Sequence, residues 1–413
     1  MIYLFTTFKV KSKGQNEGEK LLVPKLRFKE FKDEYNTYKL NDIVDFYKGN
    51  TLSKSDIKEN GKFPCILYGE LYTQYDEITD KVISYTDRSD KNLFHSKIND
   101  VLIPCSGETA LDISTSTCIL QDHVILGGDL NILRPKFQNG KYLSYLLSNK
   151  KRIVIARYAQ GDSIVHLYGE KIKNINIDLP TIEEQEKVSK LLEFLSKKIE
   201  LQKQKIEALK IYKTGVCQKL FQSIKADKTT FKMQISKFLK ERKIYSEKGL
   251  EYPHVTLSKD GILDKSDRYN RDFLVMSNNK KYKITLLNDL CYNPANLKFG
   301  VICINEYGSA IFSPIYVTLE INPNIMDVSF CKYYFTRIDF INKVRKYEQG
   351  TVYERMSVNV EDFLNHTDVF PCLEKQRKIA KILSNLDRKI NLQKNTLNNL
   401  NILKKSLLQQ MFI

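Results

Sequence analysis

LPTIEEQEKVSKLLEFLSKKIELQKQKIEALKIYKTGVCQKLF, residues Leu179 to Phe221, is the stretch on which the reading of this chain turns. Pro180 stops a helix from extending backwards, Thr181 can cap the first free amides, and Glu184 three residues on completes a capping box. Val188, Leu192, Leu195, Ile199, Ile206, Leu209, Val216 and Leu220 then recur at steps built from four and three, the seam of one long helix. Gln202 and Lys213 are polar breaks in that seam. Glu183 with Lys187, Glu186 with Lys190 and Glu193 with Lys197 stand four apart on the outer face, where such pairs support a helix.

The end of the chain repeats the stretch without a gap. Phe370 to Phe412 reads FPCLEKQRKIAKILSNLDRKINLQKNTLNNLNILKKSLLQQMF, with Pro371 opposite Pro180 and Gln376 opposite Gln185. Its seam is Ile379, Leu383, Leu386, Ile390, Leu397, Leu400, Leu407 and Met411, and its polar breaks, Gln393 and Lys404, fall at the matching places. Coinciding defects are harder to obtain by chance than coinciding leucines. The chain is therefore a duplication, each half a body followed by a long helix. Lys375 replaces Glu184 in the second copy, which predicts a weaker cap there.

A narrow apolar seam needs a partner, and the obvious one is the other copy. A helix of this length spans about 60 Å at ~1.5 Å per residue. An antiparallel pair would place the two bodies at opposite ends of a rod, with Gln202 and Gln393 fixing register. Burial of the pair inside one compact domain is the plainer alternative, disfavoured by the dense charge on the outer faces.

At 413 residues the chain has room for two or three domains, and 66 Lys plus Arg against 49 Asp plus Glu leave it at +17. Such an excess favours a polyanionic partner, although a Lys-, Asn- and Ile-rich composition produces it as well. The eight cysteines are scattered, with no CxxC pair and no histidine at ligand spacing, so zinc and a disulfide framework are not expected. Buried thiols in a reducing cytoplasm fit better. The opening MIYLF run is too short for a signal sequence and no stretch approaches a membrane span, so a soluble, intracellular protein is expected.

In order, residues 1–20 read as a polar, poorly ordered leader, 21–179 as the first body and 180–224 as the first helix; 225–369 and 370–413 repeat that pair. YKLNDIVDFYKG, from Tyr38, reads as a short helix or strand before a loop at Gly49 and Asn50. Strands are expected at Pro64–Tyr68, Lys81–Tyr85, Asp100–Pro104, Ser116–Leu120, His123–Leu126 and Leu130–Arg134, then a helix over Tyr142–Ile155 and a glycine-centred loop at Ala159–Ser163. In the second body strands are expected near Tyr252–Leu257, Lys281–Ile284, Val301–Asn305 and Ile315–Ile321, with a helix over Ser329–Val344. The fold class is α+β, two globular bodies in pseudo-twofold repeat separated by two long helices in an antiparallel coiled coil. The bodies agree at their edges, where Tyr38-Lys39-Leu40 answers Phe231-Lys232-Met233 and RYAQGDSIVHL (Arg157 to Leu167) answers KYEQGTVYERM (Lys346 to Met356). Their middles do not align, which suggests that each recognises something different.

No phosphate-binding loop, dinucleotide fingerprint, nucleophile elbow or metal spacing is present. NPAN, Asn293 to Asn296, only faintly resembles the loop of amino-methyltransferases and reads as a turn. The pattern is that of a binding protein.

PKLRFKEF with YKLNDI, DVLIPCSGE (Asp100 to Glu108), SPIYV (Ser313 to Val317), the helix starts LPTIEEQEKV and FPCLEKQRKI, and the half-length repeat together resemble the specificity subunit of type I restriction–modification enzymes. The resemblance covers nearly the whole chain beyond the leader. It implies two target-recognition domains, each reading half of a split double-stranded DNA sequence. It also implies a helix pair that sets the gap and docks two modification (methyltransferase) subunits, which restriction subunits join. S-adenosylmethionine and ATP would then sit on those partners and no cofactor on this chain, which would be non-catalytic. Candidate DNA contacts in the first body are Lys48, Asn50, Ser106, Gly107, Arg157, Tyr158, Gln160 and Ser163. In the second they are Arg242, Lys259, Arg268, Asn293, Tyr316, Arg345, Gln349, Tyr353 and Arg355. Ser106-Gly107 and Asn293 also suit turns, Lys48 and Arg242 a solvated surface, and Tyr316 a core. Gln160-Gly161 and Gln349-Gly350 suit a scaffold turn or partner contact better than base readout. Two other readings stand beside this one: a lone adenine methyltransferase with a drifted cofactor site, and a coiled-coil adaptor with no DNA role.

Overall fold

The computed structural model describes residues 5–7, 22–225, 227–246, 252–259, 261–265, 281–349 and 357–413. The long helices run over Ile182–Lys225 and Leu373–Gln410. The chain divides into two compact units, Met1–Gln204 with Asn395–Ile413, and Lys205–Lys394. Each unit therefore holds one body, part of one long helix and the complementary part of the other.

In the first unit Val188, Leu192 and Leu195 share a core with Leu400, Leu403, Leu407 and Met411. In the second, Val216, Leu220 and Phe221 share one with Ile379 and Leu383. A helix start packed on a helix end, twice over, is an antiparallel pair. The seam residues are buried, apart from Gln202, Leu209, Val216, Leu220, Leu386, Gln393, Leu397 and Leu400, which are half-buried. The repeated lysine breaks are not idle. Lys213 Nζ lies 2.6 Å from Asp387 Oδ1 and over the Tyr333 ring, while Lys404 Nζ lies 2.9 Å from Glu77 Oε2 and over the Tyr145 ring. Each lysine spans the seam on its stem and sets its charge on a tyrosine face and a carboxylate.

The capping box does not form. Glu184 is buried and its carboxylate takes Arg27 Nε at 2.9 Å, Arg27 Nη2 at 2.7 Å and the Tyr35 hydroxyl at 3.2 Å. A charged partner from the preceding segment outcompetes the backbone amide for that carboxylate. Lys375 in the second copy pairs with Asp227, so the same helix turn is latched with the charges reversed. The expected outer-face pairs change likewise. Glu186–Lys190 forms at 3.2 Å, but Lys187 turns to Glu30 and Glu193 to Lys141 at 2.6 Å. These residues dock the helix on its body. The leader needs one correction too, because Phe5–Thr7 pairs antiparallel with Leu26–Phe28.

In each body a short strand just after entry pairs antiparallel with the strand that feeds the helix: Asn36–Lys39 with Asn176–Leu179, and Phe231–Gln234 with Thr367–Phe370. That pairing is why the two edges resemble each other. The main sheet of the first body has the order Val44–Lys48, Leu130–Pro135, Val101–Pro104, Thr117–Ile119, Ile78–Thr79. The second body builds Leu239–Glu241, Val317–Ile321, Leu290–Tyr292, Ile302–Ile304 in the corresponding order. The middles thus share a sheet that sequence alignment does not reveal. They diverge in the other sheet: Ile125–Leu126 runs parallel to Phe63–Ile66, whereas Ala310–Phe312 runs antiparallel to Tyr282–Thr285. The expected strand at Lys81–Tyr85 is two short ones, Ile78–Thr79 and Ser84–Thr86. The one at Tyr252–Leu257 starts at Val255. The expected helix Ser329–Val344 is two, Val328–Phe335 and Ile338–Arg345, since Arg337 adopts an extended φ of −72° and ψ of 138°.

Among the cysteines, burial pushes the thiols of Cys65, Cys105, Cys118 and Cys303 up to about 12, so none is poised as a nucleophile. Cys372, expected to be buried, is exposed. In the strand Thr367–Phe370, burial raises the Asp368 carboxyl, but His366, the Lys343 ammonium at 2.7 and 2.8 Å and the Val369 amide outweigh it and hold it well below the usual range. A carboxyl depressed in the folded state stabilises above its unfolded pKa, here 3.8, and that contribution is lost as pH falls. Asp368→Asn should lower the melting temperature near neutral pH and flatten its fall on acidification, as thermal melts across that range would show.

Candidate nucleic-acid interface

The central strand of each main sheet starts from a buried aspartate. Asp100 takes the Lys97 amide at 2.8 Å and is forked by Arg134 at 2.8 and 2.7 Å. Asp289 takes the Leu286 amide at 2.7 Å and is forked by Arg242 at 3.0 Å on both oxygens. The same aspartate is thus satisfied by an arginine from different strands in the two bodies. Arg242, expected at the DNA, has its guanidinium committed to this fork and to Glu320 at 3.5 Å. It is a scaffold residue here, because a bidentate partner on a buried carboxylate is a stronger sink than water.

At the other end of that strand in the first body, Ser106–Gly107 pairs with Val165–His166. Ser106 is buried, with its hydroxyl 3.0 Å from His166 Nδ1. A Cβ on Gly107 would come within 2.6 Å of Ile113 Cγ2, so this residue makes the strand end close-packed. Neither offers a free polar group. Their strand partner, Val165–His166, receives the loop that follows the helix Arg152–Ala156. Gln160 and His166 exchange backbone hydrogen bonds of 3.0 and 2.7 Å, closing a loop on which Arg157, Tyr158, Gln160 and Ser163 are exposed. Gly161 turns it at a φ of +117°, a conformation open to glycine, and an added Cβ would sit 2.2 Å from the Ile164 carbonyl oxygen. The second body repeats the closure, with Gln349 and Ser357 exchanging two bonds of 3.0 Å. Gln160 and Gln349 thus each close a loop through paired backbone bonds, and Gly350 lies outside the described residues.

Gly161→Ala should cost roughly 1–3 kcal/mol of local stability, the usual strain of such a backbone. The check is faster proteolysis within 157–166 while the melting of the rest changes little.

Lys48 closes the edge strand, exposed, opposite Asn131, whose side chain donates to the Leu167 carbonyl at 3.0 Å. The structure so brings Lys48, the Ser106–Gly107 strand and the 157–163 loop to one end of the sheet. Asn50 is exposed but turned toward the divergent sheet, donating to the Asn92 carbonyl at 2.6 Å. In the second body Asn293 is a turn residue, its Oδ1 accepting the amides of Ala295 at 3.1 Å and Asn296 at 3.3 Å. Tyr316 is half-buried against Phe312, its hydroxyl 3.4 Å from Thr256 Oγ1. Arg345 is exposed, 3.4 Å from Glu348, and Gln349 donates to Asp362 at 2.9 Å. Lys259 is exposed. Arg268, Tyr353 and Arg355 lie outside the described residues.

Sequence reasoning missed two exposed apolar residues beside the first loop, Ile164 at 60% and Tyr168 at 49% exposure. Both residues stand in the sequence within and just after RYAQGDSIVHL, but no local pattern marks an exposed apolar side chain. It also missed Asp100 and Asp289 as one device, although each precedes the central strand of its body. No group of three or more His, Cys, Asp or Glu among the described residues is placed to hold a metal ion, and no described helix is long and apolar enough to cross a membrane.

A model described as the type I restriction modification DNA specificity domain matches residues 32–211. The type I restriction enzyme MjaVIII specificity subunit of Methanocaldococcus jannaschii is 27% identical over 194 residues, 46% of this chain and 42% of that protein, so the match spans less than half the length of this curated relative. The S subunit of a type I restriction–modification system from M. genitalium superposes on 95% of this chain and 99% of its own, with a TM-score of 0.60 and 16% identity. A chain solved in work on complex assembly and conformational transition of the type I R-M system covers 92% of this chain and 97% of its own, at a TM-score of 0.54 and 12% identity. At these identities the structural likeness is one of fold. Residues 32–211 thus match the type I restriction modification DNA specificity domain, and the main-sheet strand order of that domain is built again in the second half of the chain.

Proposed function

We propose that this chain is the DNA-recognition subunit of a type I restriction–modification enzyme, each body reading one half of a split duplex target. The observation that carries the reading is the shared main sheet beside a divergent second sheet: two readers on one scaffold, built to read different bases. Exposed Lys48, Arg157, Lys259 and Arg345 would meet phosphates, while Tyr158 and Ser163 would lie at base edges. Arg268, Tyr353 and Arg355 stay candidates on sequence grounds. The charge of +17 supports a polyanion, and affinity should fall steeply with salt.

Two methyltransferase subunits would dock on the helix pair, with S-adenosylmethionine on them and ATP on the restriction subunits; this chain supplies recognition and no chemistry, in the cytoplasm. Mapping methylated adenine across the source genome with and without this gene tests the reading. A split motif of fixed gap that vanishes on deletion supports it. A methylation pattern unchanged by deletion, with the gene expressed, refutes it. Isothermal titration of the isolated chain with S-adenosylmethionine should show no heat of binding; binding would move the function to a methyltransferase.

A further inference from the structure

The two joints between body and helix are built around the same buried amide. In the first, the side chain of Gln185 donates through Nε2 to the Pro180 carbonyl at 3.0 Å and accepts through Oε1 the backbone N–H of Asn139 at 3.1 Å. In the second, Gln376 donates to the Pro371 carbonyl at 2.8 Å and accepts the N–H of Asp327 at 2.9 Å. Both glutamines are buried, at 4% and 0% exposure. Asn139 and Asp327 in turn cap the first helix after the main sheet, accepting Tyr142 N at 3.0 Å and Phe330 N at 2.8 Å. The amide therefore ties the first turn of each long helix to the start of the body's own helix. Around it, the ion-pair latch is reversed in sign between Glu184–Arg27 and Lys375–Asp227.

A buried apolar residue would hold body and helix together equally well, but it would allow sliding and rotation. A buried amide bonded at both ends permits one arrangement, since any shift leaves a polar group without water or partner. We propose that Gln185 and Gln376 are positioning residues that fix the angle at which each body is carried on its helix, and so the gap tolerated between the two half-sites. The proposal rests on the DNA-recognition reading above. In B-DNA one extra base pair turns the second half-site by about one-tenth of a turn and moves it ~3.4 Å, so gap selectivity demands an angular tolerance finer than that.

The test is methylation mapping in the source cell with the gene replaced by full-length Gln185→Met with Gln376→Met, which keep volume and remove both bonds. Methylation at sites whose gap is one base pair longer or shorter should rise about tenfold relative to wild type, equivalent to ~1.4 kcal/mol of lost discrimination. The half-site bases should stay as selective as before. Unchanged gap selectivity overturns the proposal. Equal loss of base selectivity overturns it also, because the glutamines would then serve the folding of the bodies alone. Each single variant, Gln185→Met or Gln376→Met, should relax the gap preference by a smaller amount than the pair; no relaxation in either single variant counts against the proposal. Absence of any split motif in wild type refutes the recognition reading instead.

Discussion

Glu184→Ala should destabilise the first unit by about 3–5 kcal/mol, the cost of stranding a buried charge. Arg27 and Glu184 are each 1% exposed, and the guanidinium is forked on the carboxylate with Tyr35 as a third donor. Removing the carboxylate leaves the guanidinium in a low-dielectric site beside Tyr35 and Tyr142, whose hydroxyls burial already drives strongly toward the neutral form. Arg27→Met with Glu184→Leu should recover most of the loss, because the pair taken together repays little more than its own desolvation. The counterpart in the second unit gives an internal control. Lys375 and Asp227 are 28% and 20% exposed, and Lys375 pulls the Asp227 carboxyl down to about 2 mainly through their hydrogen bond. Lys375→Ala should cost far less, and its effect should shrink with salt. Thermal and urea unfolding of the three variants would decide. A Glu184→Ala loss no larger than that of Lys375→Ala would mean the Arg27 site is wet.

Leu192→Ala and Leu383→Ala should each cost about 2–5 kcal/mol, since both side chains are fully buried where a long helix meets its body. Leu201 and Leu392 occupy equivalent places in the two copies off the seam, 59% and 58% exposed, and their alanine variants should stay within ~0.5 kcal/mol. Hydrogen exchange would show the first pair raising exchange in the unit that holds the substitution and the second pair raising it in neither. Equal effects at seam and off-seam positions would mean the helices turn a different face to the bodies.

How much of this was legible in the sequence depends on the range of the interaction. Val188, Leu192, Leu195 and Ile379, Leu383, Ile390 marked the seam because helical periodicity is local, and all six are buried. The strands at Asp100–Pro104, Ser116–Leu120 and Leu130–Arg134 were equally plain from their apolar runs. The common sheet of the two bodies was not legible. Strand order is set by backbone hydrogen bonds, which tolerate Val101-Leu102-Ile103 and Leu290-Cys291-Tyr292 alike.

The site residues divide the same way. Gln160 and Gln349 were recognisable as matched turns because their closures are short. Arg242 was not recognisable as scaffold, since its partner Asp289 is distant in sequence and identified by burial alone. Glu184 shows the limit most clearly: three residues past Thr181 it satisfied every local rule for a capping box. By itself the sequence determined the duplication, the two helices and the seam, all written in short-range periodicity. Only the tertiary structure decided where Glu184, Lys187, Glu193, Lys213 and Lys404 send their charges. A side chain that can reach either its own helix or a neighbouring element takes the partner that leaves the fewest buried polar groups unmet.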